Sequence, residues 1–132
     1  MEILLKAHSG VRWLVLVALL VTLIVSLIAW LRGQGSPRKF MSISTGVMDL
    51  QALMGIILLL WAGFTGGGFP AKRLEHAVTM LIAVVVGHLA AKWKSAPPAV
   101  QGRNYTITII VILLLVIAGI SRLPQGWGPG SM

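Results

Sequence analysis

Residues 73–94 read RLEHAVTMLIAVVVGHLAAKWK, an apolar run that ends in Lys92, Trp93 and Lys94. A helix of this length crosses a hydrocarbon layer of roughly 30 Å, with the Trp at the interface and the lysines reaching out to the headgroups. The run also contains His76 and His88. An ionisable side chain inside a span is costly, so it faces a protein interior, pairs with another group or binds a ligand.

The rest of the chain repeats the apolar pattern. Of 132 residues, 57% are hydrophobic and only 11% are charged, and the mean hydropathy is +0.91. Four runs are long enough to span, over about residues 8–31, 42–64, 74–93 and 105–123, and they nearly exhaust the sequence. They predict one all-α integral membrane domain over 1–132, a four-transmembrane-helix antiparallel bundle. The net charge of +8 would suggest nucleic acid in a soluble protein, but the basic residues flank the spans. They therefore predict contact with lipid headgroups and exclude a nucleic-acid partner. The absence of cysteine removes disulfides, thiolate metal sites, iron–sulfur ligation and covalent haem attachment. Lys6, His8 and Arg12 interrupt the N-terminal run, so the first span is expected to stay in the mature protein.

Helical periodicity of about 100° per residue places His8, Arg12, Val15, Leu19, Thr22 and Ser26 on one stripe of the first span, which should face inward. In the second span Asp49 and Gln51 point about 160° apart. Asp49 shares its stripe with Gly46, Leu53 and Ile56, and Gln51 shares its own with Gly55, Leu58 and Ala62. Small residues occur on both faces, so either suits close helix packing. TGGGFP reads as an irregular turn before the third span, SAPPAVQGRN as the connection to the fourth, and PQGWGPGSM as a frayed end with an interfacial Trp127. The loops after spans one and three carry Arg32, Arg38, Lys39, Lys92, Lys94 and Arg103 without acids. The positive-inside rule then puts both termini on the non-cytoplasmic side.

Alternating spans bring the starts of the first and third to the same side, so His8 and His76 lie at similar depth. Two imidazoles facing each other across a bundle are what a six-coordinate haem iron requires. Arg12, one turn deeper than His8, together with Lys72 and Arg73, would suit the propionates of haem b. Gly87 points within about 20° of His76 and Gly10 neighbours His8, offering small residues where a flat macrocycle approaches backbone. His88 lies about 18 Å along the helix from His76 and about 120° around it, at the depth of Asp49. A carboxylate beside an imidazole suits a proton couple better than a second haem.

HSGVRW, DLQALMG and EHAVTMLIAVVVGH, in this order over four spans, resemble a group of small bacterial four-helix membrane proteins described as b-type cytochrome-like. That resemblance implies a bacterial inner-membrane protein in which His8 and His76 hold one haem. In that family the second-span motif more usually begins with histidine, and Asp49 stands there instead, which argues against a second haem at His88. The function expected is an electron carrier, either free-standing or a subunit of a quinol-linked oxidoreductase, exchanging electrons with quinone and a membrane redox partner. His88 and Asp49 would accept protons from the quinol. The rival expectation is a haem-free structural or assembly subunit of a larger membrane complex.

Overall fold

The computed structural model describes residues 1–124 and 126–127 and shows four helices. α1 spans Glu2–Arg32, α2 Arg38–Ala62, α3 Ala71–Leu89 and α4 Pro98–Ser121. All four are long and apolar enough to cross a membrane. They form an all-α antiparallel bundle, α1 packing on α2 and α4, and α3 on α2 and α4.

Each helix stops where the chain chemistry demands it. Gly33 takes a left-handed conformation at φ 68° and returns its N–H to the carbonyl of Ala29, closing α1. α2 unwinds through a wide turn over Gly63–Gly67, in which Gly66 has φ 110°, and Gly68 just after it has φ 65°. Side chains with a Cβ rarely adopt those angles. Pro70 then starts α3, and Pro98 occupies the first turn of α4, where its missing N–H costs nothing.

The helices extend beyond the stretches read from sequence as spans. α1 begins at Glu2 rather than near residue 8, and α4 begins at Pro98, inside the expected SAPPAVQGRN connection. The cause in α4 is Gln101, which is buried and donates from Nε2 to the carbonyls of Trp93 and Lys94, both at 3.0 Å. It thereby satisfies acceptors at the end of the 3-10 turn Ala90–Trp93 that follows α3. The frayed end expected of PQGWGPGSM falls on Gln125 and Gly128–Met132, outside the described residues; Trp127, within them, rests its ring on Trp13 at 5.7 Å.

The inward stripe of α1 is the one its periodicity predicts: His8, Arg12, Val15, Leu19, Thr22 and Ser26 are all buried. α4 supplies Tyr105, Ile109, Ile112 and Val116 to the same core. α1 and α4 approach closely at Gly102, where a Cβ would lie 2.5 Å from both the Ser26 carbonyl oxygen and the Trp30 nitrogen. α1 is tied to α2 by the hydroxyls of Thr22 and Ser44 at 2.8 Å. A side-chain hydrogen bond between spans contributes about 0.6–2 kcal/mol. The outward faces are aliphatic, including Leu14, Ile24, Leu53, Leu60, Val85 and Leu114, all exposed. A surface of that composition is solvated by lipid rather than by water.

Candidate functional site

α1 and α3 begin at the same end of the bundle, and their second turns place His8 and His76 on the wall of one cavity. Both side chains are buried. The cavity has a volume of about 90 Å³ and a largely apolar wall, to which Met48 and Met80 contribute thioether side chains. It reaches the outer surface between α2 and α3, because its wall includes Ile56 and Leu81, which are also exposed.

His76 has a fixed tautomer. Its Nδ1 lies 2.8 Å from the carbonyl oxygen of Gly119. A carbonyl only accepts, so Nδ1 carries the proton, and in the neutral ring Nε2 keeps its lone pair. Two features of α4 make this bond available. Gly119 lies in the last turn, where helical carbonyls lack their i+4 partners. Its missing side chain also admits α3, since a Cβ there would meet Met80 Cε at 2.9 Å and Thr79 Cγ2 at 3.4 Å.

His8 is seated by α2. Gln51 donates from Nε2 to the His8 backbone carbonyl at 2.7 Å, and one turn further the His8 ring lies against Gly55, where a Cβ would be 3.0 Å from Cε1. Neither Gln51 nor Gly55 was singled out for the site from sequence, although they share a stripe. The sequence left open which of two small-residue faces turned inward. Contact with His8 resolves it in favour of the Gln51 face at this end of the bundle.

Two further polar atoms at the cavity are buried without a hydrogen-bond partner among the described residues, Gln51 Oε1 and Arg73 Nη1. A buried acceptor and a buried cationic donor left open on one wall suit a ligand that is polar or anionic at its edge. Arg12 lines the cavity too, but its guanidinium already donates to the Trp127 carbonyl at 2.6 Å and to that of Gly126 at 3.4 Å. The role expected of Arg12 toward an anionic group therefore falls more naturally to Arg73.

Gly87 requires correction. It does not reach the His8 and His76 cavity; a Cβ there would meet Thr45, Ile112 and Met48, and the residue lines a different cleft beside His88. Eleven residues along a helix are about 16 Å, so sharing a direction with His76 does not bring Gly87 to its depth. Gly10, likewise, has open space around its Cα.

At that other end the His88 Nε2 faces the Asp49 carboxylate, 2.7 Å from Oδ1 and 3.0 Å from Oδ2. The carboxylate only accepts when ionised, so Nε2–H donates. Both side chains are about half exposed, at 56% and 46%. The pair sits on the outer surface of the bundle, where a proton can leave or arrive without crossing the core.

The donor set at the first site suits a haem. Two histidines alone match an iron whose four equatorial ligands come from a macrocycle. The glycine cradle at His8 and the open Arg73 Nη1 fit the same group. The enclosed volume is below the roughly 300–1,000 Å³ of most ligand pockets, so a macrocycle held there needs the gap between α2 and α3 as well. No protein-family model, curated protein or solved structure matches the chain.

Proposed function

We propose that the chain is a membrane-embedded b-type cytochrome-like electron carrier, with one non-covalent haem b ligated by His8 and His76 and electrons exchanged with quinol and a membrane partner. The observation that carries this reading is the His76 bond to Gly119, which orients a lone pair at Nε2 on the wall that His8 shares. When bound, the haem supplies a one-electron couple. The residues of the chain do the rest. His76 and His8 offer imidazole nitrogens, Gly119 and Gln51 hold their helices in register, and Arg73 supplies positive charge beside the ligand. His88 and Asp49, on the half-exposed surface at the far end, hold and pass on the proton that quinol oxidation releases.

Visible spectroscopy of the detergent-purified protein tests the proposal. Sharp α and β bands are expected on dithionite reduction, and a chain that stays colourless after incubation with haem refutes it. One observation favours a haem-free subunit of a larger complex instead: Arg12 is occupied by backbone carbonyls near the chain end rather than turned wholly to the cavity. A colourless protein that co-purifies with a stoichiometric membrane partner would establish that reading.

A further inference from the structure

A second cleft, of about 130 Å³, lies toward the opposite end of the bundle, bordered by α2, the end of α3 and α4. Its wall holds Arg38, Ser42 and Thr45 from the first turns of α2, Gly87 and His88 from α3, Lys94 just beyond the 3-10 turn, and Tyr105 from α4. Tyr105 is distinctive among them. Its ring is buried, at 2% exposure for the residue, while its hydroxyl keeps contact with the space of the cleft. A phenol O–H held at the wall of a cleft by a buried ring is a pre-positioned donor for a molecule that enters. Here it lines a cleft shared with two cations, and Arg38 is within its electrostatic reach. A donor hydroxyl beside two cations suits an acceptor that also carries negative charge.

The geometry points to a phosphate-binding site in this cleft, filled by the headgroup of an anionic phospholipid, with Tyr105 donating its hydroxyl hydrogen and Arg38 and Lys94 supplying the charge. Three features favour lipid. The cleft opens at the end of the bundle that carries Arg32, Arg38, Lys39, Lys92, Lys94 and Arg103, a concentration of positive charge suited to anionic headgroups. Gly87 keeps its floor open, because a Cβ there would lie 3.3 Å from Thr45 Cγ2. The outer faces of α2 and α3 are aliphatic, with Ile43, Leu50, Val85 and Leu89 exposed, which gives acyl chains somewhere to lie. Asp49 does not line the cleft, and the His88 imidazole borders it with Nε2 turned to that carboxylate. The site stands independently of haem.

Native mass spectrometry of the detergent-solubilised chain, incubated with phosphatidylglycerol or phosphatidylcholine, tests the assignment. Wild type is expected to retain one phosphatidylglycerol in preference to phosphatidylcholine. The R38Q/K94Q variant should lose at least tenfold more affinity than K39Q/R103Q, which removes two charges at the same end without touching the cleft. Y105F, which deletes only the hydroxyl, should weaken retention several-fold with unchanged helicity by circular dichroism. Displacement of the lipid by millimolar inorganic phosphate would identify free phosphate as an equal occupant of the same site, and no displacement would identify the lipid as its source. Equal losses in the two double variants, or no preference for phosphatidylglycerol in wild type, would overturn the proposal.

Discussion

The imidazole of His76 donates from Nδ1 to the carbonyl of Gly119 across the α3 and α4 contact, at 2.8 Å. The bond ties the orientation of a cavity-lining side chain to the packing of two helices. A group that orients a ligand in this way commonly matters to binding almost as much as the ligand itself.

Gly119→Ala isolates that coupling. The new methyl would meet the Met80 thioether at 2.9–3.2 Å, and Met80 lines the cavity. The end of a methionine side chain moves cheaply, so stability should change by no more than about 1 kcal/mol. Its displacement should instead shrink the cavity. Haem loading is expected to fall several-fold by reduced-minus-oxidised spectroscopy while the unfolding midpoint barely moves; an unfolding midpoint that collapses together with haem loading would show that Gly119 acts only in packing.

Gly102→Ala should behave in the opposite way. In a helix interior Gly to Ala is ordinarily stabilising by about 1 kcal/mol. Here the methyl meets backbone, 2.5 Å from Ser26 O and from Trp30 N, and hydrogen-bonded helical backbone does not step aside as the end of a side chain does. Overpacking of about 1–3 kcal/mol should outweigh the propensity gain. Thermal unfolding in detergent is expected at a lower midpoint than wild type, and a higher midpoint would mean that α1 and α4 do not approach so closely.

Much of this architecture is legible in the sequence. The inward stripe of α1 from His8 to Ser26 follows from periodicity alone, because in a membrane the polar side chains have only the bundle interior to turn to. The placement of His8 and His76 at one end follows from counting spans. What periodicity does not carry is axial depth and partner identity. Gly87 shares a direction with His76 yet lies three turns away, and Arg12 finds its acceptors at Gly126 and Trp127, more than a hundred residues on. Gln101 reads as loop because its polar neighbours mask its role in capping the turn before it.

If His8 and His76 ligate one iron, His8→Ala or His76→Ala should each abolish the low-spin spectrum, since losing either axial nitrogen leaves five-coordinate iron. The two variants should differ in apo stability. His76→Ala leaves the Gly119 carbonyl with only the Arg122 backbone N–H, at 3.3 Å, at a cost of about 0.5–1.5 kcal/mol for the lost bond, and opens a void beside it. An unchanged low-spin spectrum in either variant would refute the pairing.

The final prediction concerns Asp49 and His88, 2.7 Å apart on the outside of the bundle. With both side chains about half exposed, solvent and headgroups screen the pair, and its contribution to stability should be only about 0.2–1 kcal/mol. Asp49→Asn keeps the shape of the side chain and can still accept from Nε2–H through its amide oxygen, but it cannot hold a proton. If the couple passes protons, the substitution should leave the unfolding midpoint and the one-haem stoichiometry alone and slow quinol-linked haem reduction by about a hundredfold or more, the low end of what a positioned acid or base supplies. His88→Ala should slow it similarly, and the double variant should be no slower than either single one, because the two residues act as a unit. Additive losses would separate the two roles. A measured stoichiometry of two haems per chain, one of them missing in His88→Ala, would make His88 a ligand and end the proton-couple assignment.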